Sequence, residues 1–100
     1  QLGTDIDAEI QFMIGECYED SNNYNEALKE YLRVSYLYPQ SNYWMIKSIF
    51  RSANIFERLE KWDEAKKLYE NLIALYIDES KYARERLEWI KSRAEKSNPI

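Results

Sequence analysis

Few side chains in this sequence could carry out chemistry. The chain of 100 residues has one cysteine and no histidine, so the commonest general base and metal ligand is absent. Cys17 could act as a nucleophile only beside a base or a cation, but it falls on an apolar helical stripe with Ile10, Ile14 and Tyr18. We therefore predict that Cys17 is buried and inert. A zinc site cannot be assembled from this chain alone, because such a site needs several cysteines or histidines.

Clustered carboxylates are the remaining candidates for catalysis. They form two groups, Glu16 with Glu19 and Asp20, and Asp63 with Glu64. Paired acids exchange protons at neutral pH only where burial or a like charge shifts one pKa, and these groups fall on helix faces that we expect to be solvated. Residues 20–23 lack the length and the final glutamate of a calcium loop, and the two glycines are isolated. The sequence predicts no catalytic residue, no metal, no cofactor and no enzymatic activity.

The composition predicts an all-α protein of one domain. Hydrophobic residues make up 45% of the chain and charged residues 32%, which allows both a core and a polar surface. Two glycines and two prolines are too few for the many turns of an all-β fold. The net charge of −4 and the lack of a basic stripe argue against a nucleic-acid partner. No apolar run is long enough to span a membrane.

Hydrophobic periodicity predicts five helices joined by short turns. The first starts near Asp5 or Asp7, the second ends before Pro39, and the third is capped by Ser41 or Asn42. The fourth starts near Trp62, and the fifth starts at 78–80 and ends before Pro99. Its apolar stripe is Tyr82, Ala83, Leu87, Ile90 and Ala94. Such short connections make neighbouring helices antiparallel, so we expect two helical hairpins and one closing helix.

The two hairpins repeat each other at an offset of 38 residues. Identical pairs include Phe12 and Phe50, Glu19 and Glu57, Ala27 and Ala65, and Tyr31 and Tyr69. A period of this length is typical of stacked repeats, in which each unit buries its apolar face only against its neighbours. We expect a first unit at about 8–41, a second at about 42–79 and a capping helix at about 80–96.

These residues resemble the tetratricopeptide repeat, whose unit has about 34 residues. The first unit carries its small and aromatic residues in the family's order: Ala8, Gly15, Tyr18, Tyr24, Ala27, Tyr31 and Pro39. The second repeats them as Ala53, Phe56, Trp62, Ala65 and Tyr69, and departs from the pattern at Ser52 and Ile77. The resemblance implies a superhelical stack in which small residues let paired helices approach. It also implies a scaffold that binds a protein or peptide.

The unit is longer than the family's usual length, and the extra residues fall in the segment Tyr38–Trp44. Long units with this linker resemble repeats of bacterial cell-envelope proteins, such as outer-membrane assembly lipoproteins and the periplasmic protein coupled to the Tol–Pal system. The resemblance therefore implies an envelope or periplasmic scaffold. A cytoplasmic adaptor and a regulatory domain of a larger, possibly enzymatic, protein are the alternatives. Because the chain starts at Gln1, we expect a fragment of a longer protein.

The resemblance also implies where a partner binds, since the first helix of each unit lines a concave groove. Carried onto this sequence, the groove residues are Glu9, Phe12, Glu16, Glu19, Asp20, Lys47, Phe50, Arg51, Asn54, Glu57 and Arg58. Acidic residues of the first helix would face Lys47, Arg51 and Arg58 of the third. Phe12 and Phe50 are either exposed anchors for a peptide or side chains packed between units.

A second candidate surface comes from an excess of aromatic residues. Tyr36, Tyr43, Trp44 and Trp89 exceed what two hairpins need for packing, and we place them on a convex or terminal surface. A two-unit stack is short for this architecture, so we expect another unit before the first helix. The open end could therefore pair with a second copy, which makes a homo-oligomer an expectation as well.

Overall fold

The chain folds into five α-helices with no β-strand in the residues that the structure, a computed structural model, describes, namely 2–75 and 80–96. The helices are α1 (Leu2–Asp20), α2 (Tyr24–Leu37), α3 (Asn42–Arg58), α4 (Trp62–Leu75) and α5 (Ser80–Lys96). Each helix packs on the next along the chain, and α1 also contacts α3. The predicted all-α stack of two hairpins and a closing helix is confirmed.

The two hairpins turn in the same way. Asn22 and Glu60, which lie 38 residues apart, both have left-handed backbones, with φ of 63° and 58°. The residue after each donates its N–H back to the preceding helix, Asn23 to the Tyr18 carbonyl and Lys61 to the Phe56 carbonyl, both at 2.8 Å. This pattern is the Schellman motif, which satisfies the last carbonyls of a helix. The repeat in sequence is therefore also a repeat in turn geometry.

A fully buried tyrosine lies at the centre of each unit. Tyr31 and Tyr69 expose none of their surface, and neither do Ala27 and Ala65 one turn before them. A Cβ on Gly15 would come within 2.6 Å of the Tyr31 ring, so the ring needs a residue without a side chain there. The small residues predicted at the crossings, Ala27, Ala53 and Ala65, are fully buried, and Gly15 accommodates the Tyr31 ring.

The two cores share α3. Ile55 of α3 packs with Phe12, Leu28 and Val34 of the first hairpin. The opposite side of α3 joins Leu72 of α4 and residues of α5 in a second core, which includes Ala83 and Ile90. One helix thus ties both units together, and α5 closes the second.

Three sequence predictions about α1 are wrong. The helix begins at Leu2 instead of near Asp5 or Asp7. Its side with Ile10 and Ile14 is exposed, and so is Cys17. The buried side carries Ala8, Phe12 and Gly15. The helical period alone could not show which side of α1 is buried, because α1 has apolar residues on two sides and only one side packs on α2.

The closing helix begins at Ser80, within the predicted range of 78–80, but its apolar stripe is buried only in the middle. Tyr82 and Ala94 of the expected stripe are exposed, while Ala83, Leu87 and Ile90 are buried. The expected departure at Ile77 and the linker around it lie outside the described residues.

Replacing Ala27 or Ala65 by leucine is expected to overpack the helix crossing, because neither side chain has any free surface. The expected loss in free energy of unfolding is about 1–3 kcal/mol, measured by urea denaturation. Ala74→Leu is the matched control on an exposed position of α4 and should change little. Unchanged stability in both buried variants would contradict the observed packing.

Glu60→Gly is expected to stabilise the chain by about 1 kcal/mol, because a left-handed backbone is strained for a residue with a Cβ. Thermal and urea unfolding would measure the gain. Lys67→Gly, on an exposed site within α4, should instead lose about 1 kcal/mol. A loss at both positions would argue against the left-handed turn.

Candidate partner-binding site

Side chains of α1, α3 and α5 contact one another along one side of the stack, which we call the first-helix face. It carries Glu16, Glu19, Lys47, Phe50, Arg51, Glu57 and Arg86. On it, the Tyr31 hydroxyl donates to Glu19 Oε1 at 2.7 Å. The Arg51 guanidinium of α3 reaches across to the same carboxylate at 3.4 Å and to Glu16 at 3.2 Å. A buried tyrosine, a carboxylate and an arginine of the next helix therefore join α1, α2 and α3.

The same arrangement recurs in the second unit. The Tyr69 hydroxyl donates to Glu57 Oε2 at 2.5 Å and lies 2.8 Å from Asn54 Oδ1. The Arg86 guanidinium of α5 forms an ion pair with Glu57, with Nε 3.2 Å from Oε2. The Glu57 side chain keeps 9% of its surface exposed. Two Tyr–Glu–Arg networks thus connect the five helices, one per unit.

These networks correct the prediction for the carboxylates. Glu19 was expected to be solvated, but it is largely buried and contacts a tyrosine and an arginine. Glu57, predicted as a groove residue, is largely buried in the same way. The arginine lies on the next first helix, about 30 residues along the chain, where no local pattern points to it. The signal that could have revealed them is the joint recurrence of glutamate and tyrosine at the same offset.

The networks also change the protonation behaviour of the tyrosines. Burial, followed by the hydrogen bond to Glu19, raises the pKa of Tyr31 far above its ordinary value. Burial and the bond to Glu57 do the same to the pKa of Tyr69. The bond to Glu57 also raises the pKa of the Arg86 guanidinium. Both hydroxyls therefore stay protonated and act as hydrogen-bond donors.

Phe12 does not lie open on the first-helix face. It keeps 1% of its surface exposed and packs between Tyr31 and Trp44, with ring centroids 5.2 and 5.4 Å away. An exposed anchor at Phe12 is therefore wrong, and packing between units is the correct alternative. The reason is Trp44, which the extra turn at the start of α3 places against the Phe12 ring.

Phe50 occupies the equivalent place in the second unit but remains half-buried. Its ring lies 5.2 Å from Tyr82 and 6.4 Å from Tyr69. The smaller Tyr82 stands where Trp44 stands in the first unit and is itself exposed. Phe50 is therefore the accessible aromatic of the pair.

Lys47 is the most unusual cation on this face. Its ammonium lies 5.1–5.4 Å from the ring centroids of Phe12, Tyr43 and Trp44, close enough for cation–π attraction. It also donates to the Tyr43 hydroxyl at 3.3 Å. Among the described residues, no carboxylate forms an ion pair with it, whereas Arg51 and Arg86 are both paired.

A shallow depression adjoins this cation. It has a volume of about 190 Å³ and is lined by Tyr43, Ile46, Lys47 and Phe50 of α3. Tyr43 was expected on a convex or terminal surface, yet it forms one wall of this depression. A cation beside half-buried rings can hold an apolar side chain and a neighbouring carboxylate.

The other predicted groove residues take separate positions. Glu9 and Asp20 are exposed on α1. Asn54 is half-buried, and its Oδ1 accepts a hydrogen bond from Tyr82 and lies 2.8 Å from the Tyr69 hydroxyl. Arg58 contacts Tyr24 of α2, donating to its hydroxyl at 2.9 Å. The predicted charge split is present in sequence, but Arg51 is paired with the acids of α1 instead of being open to a partner.

The remaining spare aromatics lie elsewhere. Tyr36 exposes 83% of its surface on α2. Trp89 packs against Trp62 at 5.8 Å and lies between the guanidinium groups of Arg86 and Arg93, at 4.6 and 4.8 Å. In the described part of the chain, no three potential ligands lie together to hold a metal ion. No helix there has the length and hydropathy of a membrane crossing.

Comparison with known protein families gives two matches. Residues 8–41 match one model of the tetratricopeptide repeat, and residues 47–76 match a second model with the same description. The two matches leave only residues 42–46 between them and together cover most of the chain from α1 to the end of α4. No curated protein and no solved structure matches the chain.

The two networks predict a loss of stability in alkali. Because folding raises the pKa of Tyr31 and Tyr69, the stability they contribute is complete below the unfolded pKa of about 10 and is lost as pH rises above it. Urea unfolding across this pH range should show a steeper fall for the parent chain than for Tyr31→Phe/Tyr69→Phe.

The double variant should also lose about 1–3 kcal/mol per site at neutral pH, where a hydrogen bond to a charged group is removed. Tyr36→Phe/Tyr43→Phe is the matched control on exposed positions and should follow the parent curve. Parallel curves for the parent and the buried double variant would count against the networks.

Proposed function

Because the chain belongs to the tetratricopeptide repeat family, whose repeats generally mediate protein–protein interaction, we propose that it is an interaction scaffold that binds a partner segment along the first-helix face. The observation that carries this proposal is the depression beside Lys47. There a cation without a carboxylate partner among the described residues adjoins the half-buried Phe50 and the exposed Tyr43.

The proposed role is binding and not catalysis. Of the clustered carboxylates, Glu16 and Glu19 are engaged by Arg51, and Glu19 also accepts a hydrogen bond from Tyr31. Asp20, Asp63 and Glu64 are exposed. A carboxylate that accepts a hydrogen bond from a buried tyrosine contributes to stability. Protonating that carboxylate would break the contact between units.

We place the scaffold in a bacterial cell envelope. The long unit supports this, since its extra residues resemble the linker of envelope repeats and contribute Tyr43 and Trp44 to the surroundings of Lys47. A cytoplasmic adaptor and a regulatory domain of a larger protein are the alternatives. Cell fractionation of the parent protein tests the envelope location. Recovery in the envelope or periplasm supports it, and recovery in the cytosol contradicts it.

Photo-crosslinking tests the binding face directly. A crosslinking amino acid at position 43 of the parent protein is expected to capture a partner, because Tyr43 is exposed beside the depression. The same amino acid at position 36 is the control on α2 and should not capture that partner. Crosslinks to it from position 36 alone would place the site on the other side of the stack.

The captured partner can then be titrated against Lys47→Met, which keeps an apolar side chain but removes the charge. We expect about a tenfold loss of affinity, equal to about 1.4 kcal/mol. Lys67→Met on an exposed site of α4 should bind like the parent. Equal affinity of both variants would remove Lys47 from the site. Phe12→Ala is not a useful test, because Phe12 is part of the core.

A further inference from the structure

A second hollow of the molecule lies between the start of α4 and the end of α5, and we call it the α4–α5 cavity. It has a volume of about 370 Å³ and is lined by Glu60, Trp62, Asp63, Ile90, Arg93 and Ala94. It has no lining residue in common with the depression beside Lys47. Pockets that hold small molecules enclose roughly 300–1,000 Å³, so this cavity has room for a small ligand.

The register of α5 identifies the equivalent place in the first unit. The arginines of the two Tyr–Glu–Arg networks are 35 residues apart, although their glutamates are 38 apart. Arg58 and Arg93 are also 35 apart, and each guanidinium lies over the first residue of the second helix in its hairpin. The distance to the ring centroid is 5.8 Å at Tyr24 and 6.0 Å at Trp62. Each residue of α5 therefore corresponds to the residue of α3 that precedes it by 35 positions.

In this register, the α4–α5 cavity is the place that Leu59 fills in the first unit. Leu59 packs against the first core, whereas its counterpart Ala94 lines the cavity. Ile55 and Ile90, one turn earlier, are both buried. The space therefore results from a leucine side chain that the second unit lacks. Leu59 also shows which group fits there, namely a branched aliphatic one.

Two carboxylates border the cavity, and the first unit has amides in their place. Glu60 and Asp63 lie 38 residues after Asn22 and Asn25. Both acids are exposed, and no lysine or arginine of the described ranges forms an ion pair with either. An ammonium group in the cavity would therefore find two carboxylates to pair with.

Arg93 supplies a charge of the opposite sign. Its guanidinium lies over two rings, 4.8 Å from the centroid of Trp89 and 6.0 Å from that of Trp62. No carboxylate in the described part of the chain forms an ion pair with it. Stacking on rings leaves the N–H groups at the guanidinium edge available, and a carboxylate is the acceptor that they fit best.

We propose that the α4–α5 cavity binds a free α-amino acid with a branched aliphatic side chain, such as leucine. The side chain occupies the space that Leu59 fills in the first unit. The ammonium group pairs with Glu60 and Asp63, and the carboxylate pairs with Arg93. This site is separate from the partner-binding face, so either can exist without the other.

Calorimetric titration of the full chain with three related ligands tests the proposal. Leucine carries all three groups, leucinamide lacks the carboxylate, and isocaproate lacks the ammonium group. Leucine is expected to bind at least about tenfold more tightly than either, because each analogue leaves a charged group of the cavity unpaired. Equal affinity for the three ligands, or no binding of leucine, would overturn the proposal. Tighter binding of leucinamide would overturn it in favour of the amino terminus of a peptide.

Copying the first unit into the second tests the location. Ala94→Leu fills the cavity with the side chain that Leu59 provides in the first unit, and it is expected to lower the affinity for leucine at least about tenfold. Ala74→Leu, on an exposed position of α4, is the matched control and should bind like the parent. Undiminished affinity of Ala94→Leu would overturn the proposal.

Two further variants test the charged contacts separately. Glu60→Asn/Asp63→Asn should weaken binding of leucine and of leucinamide, but not of isocaproate. Arg93→Gln should weaken binding of leucine and of isocaproate, but not of leucinamide. Asn22 has the same left-handed backbone as Glu60, so the double variant is expected to fold, which circular dichroism checks. Equal losses for all three ligands in a folded variant would contradict the assigned contacts.

Discussion

A buried tyrosine in each unit sets the distance and the order of the helices. The ring of Tyr31 fills the space between α1 and α2 only because Gly15 has no side chain opposite it. Its hydroxyl cannot be buried without a partner, and Glu19 accepts a hydrogen bond from it. The carboxylate in turn needs a cation, which Arg51 supplies from the next unit. Packing within one hairpin is therefore coupled to docking of the next.

This coupling explains how each unit docks on the next. Each Tyr–Glu–Arg network joins the two helices of one hairpin to the first helix that follows, so the same local device is used twice. The second network takes Arg86 from α5, which lies one turn earlier than the position equivalent to Arg51. The closing helix thus enters the stack by the same chemistry as a full unit, with its arginine moved along the helix.

The pairing of charges also decides where recognition can occur. The arginines that pair with Glu19 and Glu57 already have carboxylate partners, so their charge is partly neutralised within the fold. Lys47, held over aromatic rings instead of a carboxylate, keeps its charge available to an incoming group.

The sequence by itself determined the helices, the repeat and the small residues at the crossings, because these depend on spacing along the chain. Ala27, Ala65, Tyr31 and Tyr69 are buried as their periodicity requires. Contacts across the chain were decided only by the tertiary structure. The cover of Trp44 over Phe12 and the arginines that neutralise the glutamates come from helices far along the chain. The exposure of Cys17, Ile10 and Ile14 has the same origin, since a helix with two apolar sides buries the one that packs on a neighbouring helix.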